Sequence, residues 1–206
     1  IDSGSGSLRA TVAAAASGDT INITATGTLT LTSGEIPVTK ALTIAGPGAT
    51  SLTISGNATS RIFKVSATTA GAEDAPLSLS GVTLASGYAS GTCPVPATGS
   101  GGAIAATESL SLSDVVISNS HAARNGGALA WALRRNGQSL TLSNVRVSGN
   151  SAGCASATAG GIGGGIFAGY DSSEQFFPFV FGYGYLHLVF QDKIAAVAAH
   201  KLAHAV

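Results

Sequence analysis

The feature that most restricts how this 206-residue chain can fold is a segment that occurs three times without gaps. LSLSGVTLASG begins at Leu77, LSLSDVVISNS at Leu110 and LTLSNVRVSGN at Leu140, with starts 33 and then 30 residues apart. Each copy reads apolar, hydroxyl, apolar, Ser, turn residue, Val, then a second short strand ending in small polar residues. Between the copies lies another recurring unit: GGAIAA from Gly101, GGALAW from Gly126 and GGGIFAG from Gly163. Looser versions occupy the N-terminal half at Leu29 and Leu31, Leu42 to Ile44, Leu52 to Ile54, and Phe63 to Val65.

Strands this short do not make stable isolated hairpins, and the repeated segments lack the two-residue Asn-Gly or Asp-Gly turns that hairpins favour. Repetition at ~30 residues offers another solution, in which each strand pairs with its own copy one repeat later, about 4.8 Å away. Leu77, Leu110 and Leu140 then stack inside the coil, as do Leu79, Leu112 and Leu142. Ser78, Ser111 and Thr141 point outward as a hydroxyl ladder. The turn slot holds Gly81, Asp114 and Asn144, residue types that tolerate left-handed backbone angles. The pattern predicts an all-β fold, a single-stranded parallel β-helix.

Charge narrows the partners. Lys plus Arg number 10, Asp plus Glu number 10, and together they make up only 10% of the chain. A neutral, charge-poor surface is unsuited to nucleic acid or acidic lipid, which need concentrated positive charge. Ser, Thr and Asn must solvate the exterior instead. The longest apolar stretch, Phe176 to Phe190, is broken by Pro178, Gly182, Gly184 and His187, so no bilayer-spanning helix is expected.

The opening SGSGSLRATVAAAASGDTI resembles the Ser-Leu-Arg, Ala-rich helix and Gly-Asp-Thr-Ile segment that begins many large bacterial surface β-helix proteins. The GGAI and GGAL units with LSLSDVVISNS and LTLSNVRVSGN resemble the repeats of polymorphic outer-membrane proteins and related right-handed β-helix adhesins. The resemblance covers Asp2 to about Gly169. It implies a right-handed, pectate-lyase-like solenoid, exported or held at a bacterial outer surface within a longer protein, with a host-surface or glycan ligand. Such families hold passive passenger domains as well as polysaccharide-degrading enzymes.

Both ends of a solenoid need covering. Leu8 to Ala16 reads as a short helix with Ser7 as N-cap and Leu8, Val12 and Ala16 on one face, lying over a first strand, Thr20 to Ala25. The β-helix with its cap spans 1–169. Residues 170–206 depart from the repeat: nine of the twelve aromatic residues fall between Phe167 and Phe190. Alternation of Phe177, Phe179, Phe181, Tyr183 and Tyr185 predicts a strand, and Ile194, Val197, Ala198 and Leu202 an amphipathic helix. This tail is either a strand-plus-helix cap or foreign to the fold.

Glycan-cleaving β-helices use carboxylates on one outer face, as an acid–base pair or as calcium ligands. In an enzyme of this kind the candidates are Asp114, at a strand–turn boundary, and nearby Glu108. Gly81 and Asn144 fill the same slot as Asp114, so a turn role explains it without chemistry. Glu73 and Asp74 read as a solvated loop. No carboxylate recurs in register, and a non-catalytic module is expected. His200 and His204 are four apart on the predicted helix, but Lys201 replaces the glutamate of a zinc-protease motif and no third ligand is near, so no metal or cofactor is expected. Trp131 with Arg134 and Arg135 is a candidate site for an anionic sugar, by stacking and charge. More plainly, the arginines belong to an exposed loop, WALRRNGQ, between two strands. Thr28, Thr30 and Thr32 suggest a flat hydroxyl array, though the doubled Thr-x-Thr is not repeated later. Cys93 and Cys154 fall in the long loops 88–100 and 150–163, either as one disulfide or as two inert thiols.

Overall fold

The computed structural model describes residues 2–67, 75–91, 99–133, 138–153 and 164–170. Strands dominate it, and they follow one another coil by coil. The first coil holds β1 (Thr20–Asn22), β2 (Gly27–Thr30) and β3 (Ile36–Val38). The second holds β4 (Leu42–Ala45), β5 (Leu52–Ser55) and β6 (Phe63–Val65). The third holds β7 (Leu77–Ala85), β8 (Tyr88–Ala89) and β9 (Ile104–Ala106). The fourth holds β10 (Leu110–Ser118), β11 (His121–Ala122) and β12 (Leu129–Leu133), and the fifth β13 (Leu140–Ser148), β14 (Ser151–Ala152) and β15 (Ile166–Tyr170). Each strand pairs in parallel with its counterpart one coil away, giving sheets of seven, three and five strands. This is an all-β arrangement of stacked parallel coils.

Register follows the repeat alignment. Leu77, Leu110 and Leu140 are direct partners, as are Leu79, Leu112 and Leu142. All six are buried, along with Ile44, Ile54, Phe63 and Ile104 from neighbouring strands. Burying each such side chain contributes roughly 1.5–3 kcal/mol before ordering costs, and together these columns form one continuous core. Ser78, Ser111 and Thr141 alternate with them and face outward, only partly buried.

The long strands bend where the turn slot was expected. Gly81, Asp114 and Asn144 have φ of 64°, 54° and 51°. One residue in the left-handed region turns the chain from one outer face to the next, and Gly, Asp and Asn accept it most readily. In the second coil the same corner is made by separate strands: β4 pairs with the first half of β7 and β5 with its second half.

The glycine pairs serve close coil-to-coil approach. A Cβ on Gly102 would lie 2.1 Å from the Gly127 carbonyl oxygen, and one on Gly127 would lie 2.2 Å from that of Gly164. No larger residue fits either position without moving backbone.

The N-terminal cap is α1 (Leu8–Ala14), whose N-cap Ser7 accepts a bond from the Ala10 N–H at 3.2 Å. Leu8 and Val12 enter the core, whereas Ala16 lies beyond the helix and is exposed. Lys40 Nζ donates to the carbonyls of Ala13 and Ala15 at 3.0 and 2.6 Å, placing positive charge at the helix C-terminus, where the dipole favours it. The first strand stops at Asn22, three residues short of the expected Ala25. Asp2 ties the cap to the first coil. It pairs with Arg9 at 3.0 Å and accepts from the Thr32 and Ser33 N–H groups at 2.8 and 2.6 Å. Burial works to raise its carboxyl, but these hydrogen bonds outweigh it and hold the group lowered to about 2. The tail expected as a strand-plus-helix cap lies, from residue 171 onward, outside the described residues, as do His187, His200 and His204.

Candidate functional site

The outer faces of the coils are lined by registered polar columns. Thr20, Thr43, Ser78, Ser111 and Thr141 follow one another across the five coils. Two residues along the strands, Asn22, Ala45, Ser80, Ser113 and Ser143 form a second rank. Past the corner, Thr28, Thr53 and Thr83 align, but Val116 and Arg146 end that hydroxyl run.

The described carboxylates do not converge on these faces. Asp114 is exposed at its corner, and its Oδ1 accepts from Asn144 Nδ2 at 2.6 Å. Glu108 is buried at 3% exposure in the turn before β10. Its Oε1 accepts from the Ala67 N–H and its Oε2 from Gln138 Nε2, both at 3.1 Å. Most of the extended first half of β10 separates the two residues, at about 3.3 Å per residue, and one faces water while the other is enclosed. They do not form the facing pair that acid–base glycan cleavage requires. Of the other described carboxylates, Asp2 pairs with Arg9, Glu35 accepts from Arg61 Nε at 2.6 Å, and Asp19 accepts from the Ala16 N–H at 2.7 Å. Among the described residues no group of three His, Cys, Asp or Glu side chains is placed to hold a metal ion. Glu73 and Asp74 lie outside the described residues.

Trp131 occupies the interior. It is 3% exposed, stacked above the column of Ala106, and its indole Nε1 donates to the Glu108 carbonyl oxygen at 2.9 Å. An enclosed ring with its N–H already engaged offers no stacking surface to a sugar. Arg134 and Arg135, its expected companions, lie outside the described residues, and so do Cys93 and Cys154.

A different cluster stands on the short third sheet. Tyr88, His121 and Ser151 are direct partners on β8, β11 and β14. The Tyr88 and His121 rings stack with centroids 5.3 Å apart and planes 26° from parallel. His121 Nδ1 shares a hydrogen bond with Ser151 Oγ at 2.9 Å. Tyr88 is the one large hydrophobic residue left exposed among the described residues, at 37%. Neither its hydroxyl nor His121 Nε2 bonds to another described residue. His121 read from sequence stands alone because strands of two residues carry no periodicity to read. Its signal was the spacing: 33 residues from Tyr88 and 30 to Ser151, the same intervals as the leucine repeats.

No helix among the described residues is long and apolar enough to cross a membrane. A scan against protein-family models finds no match for this chain, and neither does a search of curated proteins or of solved structures.

Proposed function

We propose that this chain is a non-catalytic, exported right-handed parallel β-helix that acts as an adhesive or structural module at a cell surface and contacts glycan. The observation that carries the reading is the chemistry of the outer faces. Hydroxyl and amide side chains stand in register over the coils, while each described carboxylate is spent on a local partner. A hydroxyl-rich, charge-poor surface suits a passive contact role, because it presents hydrogen-bonding groups without the paired acids that cleave a glycosidic bond. The motif resemblance of residues 2–169 to bacterial surface β-helices points the same way.

The test is paired. The purified chain is incubated with polyuronate, with and without calcium, and separately applied to immobilised glycans and to cells. Binding without release of unsaturated or reducing ends is the expected result. Cleavage would replace this reading with that of a pectate-lyase-like enzyme.

A further inference from the structure

We infer that the Tyr88–His121–Ser151 column is a binding site for an uncharged saccharide. The inference rests on the glycan-contact reading above and names where on the molecule that contact is made. Three features set the column apart from the rest of the described exterior. First, it carries an aromatic side chain that the fold leaves in water. The other described aromatic side chains, Phe63, Trp131 and Phe167, are buried, so exposure of Tyr88 at 37% is an exception. An exposed aromatic ring offers its π-face to the C–H groups of a pyranose.

Second, the ring is held in place rather than left free. It stacks on His121 at 5.3 Å, and the imidazole is in turn oriented by Ser151 at 2.9 Å. Register fixes all three, since each is a direct strand partner of the next. A ligand meeting this column therefore orders little that is not already ordered, which lowers the cost of binding. Third, the polar atoms that remain are those a sugar hydroxyl needs. The Tyr88 hydroxyl donates and accepts, and His121 Nε2 does one or the other according to which ring nitrogen carries the proton. No carboxylate or cation belongs to the column, so its chemistry matches a neutral sugar rather than a uronate or sulfated chain. A mostly apolar contact with a few placed polar atoms is the usual composition of a small-ligand site.

The experiment measures binding of the whole chain to neutral oligosaccharides (gluco-, manno- and galacto-hexasaccharides) by titration calorimetry or on an array. Tyr88→Ala and His121→Ala are expected to weaken binding about tenfold or more, the size of effect seen when an aromatic anchor is removed. Tyr88→Phe keeps the ring and is expected to retain most of the affinity, while Ser151→Ala shows a smaller loss. Unchanged thermal unfolding of the variants separates loss of contact from loss of fold, since these side chains lie outside the core. Neutral-sugar binding by the parent chain that survives Tyr88→Ala and His121→Ala unaltered would overturn the site while leaving the glycan-contact reading in place. Absence of binding to every neutral sugar would overturn the site as well. Binding to acidic glycans alone would keep the adhesive reading and reject the ligand class inferred here.

Discussion

Asn144 Nδ2 reaches down one coil to Asp114 Oδ1 at 2.6 Å, so the corner of one coil is stitched to the corner of the next. Both residues also sit in the left-handed region, with φ of 51° and 54°. The backbone angle and the side-chain bond make separable demands. Asp114→Gly relieves the first and loses the second, and is expected to change stability by less than about 1 kcal/mol. Asp114→Val fails both and is expected to cost roughly 2–3 kcal/mol. Chemical denaturation of the two variants measures the difference.

Glycine substitutions discriminate positions that look alike in sequence. Gly127→Ala places a methyl group 2.2 Å from the Gly164 carbonyl and 2.3 Å from that of Ser151. Both obstacles are backbone, so the coils must part, and a loss of at least about 3 kcal/mol or failure to fold is expected. Gly164→Ala meets its nearest atom among the described residues, the Asn150 carbonyl oxygen, at 3.4 Å. It is expected to fall within about 0.5 kcal/mol of the parent. Thermal melting of the pair is the check.

Asp2 makes stability depend on pH in acid. Its folded-state pKa is lowered from 3.8 to about 2, with burial opposed and outweighed by the hydrogen bonds from Thr32, Ser33 and Arg9. The unfolded chain therefore takes up the proton first as pH falls. The contribution is present in full above about pH 4 and is lost as pH drops toward 2; it is on the order of 2 kcal/mol. Unfolding free energy measured between pH 5 and pH 2 should fall in the parent chain, and Asp2→Asn should flatten that part of the curve while lowering the plateau.

Glu108 and Trp131 are expected to behave as structural residues. Glu108→Ala leaves the Ala67 N–H and the Gln138 amide without their shared acceptor, at about 1–3 kcal/mol. Glu108→Gln keeps one acceptor and should cost less. Trp131 is the single tryptophan of the chain and is 3% exposed. Native emission should be blue-shifted and resistant to iodide quenching, and should move red on unfolding. Native emission at the wavelength of free indole would contradict its placement.

Much of the coil stacking was legible because it repeats. The gapless alignment of Leu77, Leu110 and Leu140 became strand register directly, and the φ > 0 demand of the corner selected Gly, Asp and Asn. The site was less legible. Trp131 beside two arginines suggested a surface platform, yet it is two residues from buried Leu129, and strand alternation puts both inside. Glu108 lies between strands, where no period tells an enclosed carboxylate from a solvated one. Tyr88 and His121 belong to strands too short for any alternation to show, so only their distance along the chain linked them.

The split of β7 between two partners, β4 on one side of its bend and β5 on the other, has a consequence for how such a molecule varies. In the second coil the stretch from Gly46 to Ser51 bridges two strands whose places are already dictated by β7 above them. That bridge is tied to the next coil at three points: the Gly46 and Gly48 N–H groups donate to the Ser80 and Gly81 carbonyls, each at 2.9 Å, and Thr83 Oγ1 donates to the Ala49 carbonyl at 2.6 Å. A side chain at Gly46 is excluded, since its Cβ would lie 2.5 Å from the Gly81 carbonyl oxygen, so exchange at this seam falls to the residues between its anchors. The solenoid is thus a ruler with replaceable markings: the spacing of its surface groups is invariant at about 4.8 Å per coil, while what protrudes between them is free to diverge.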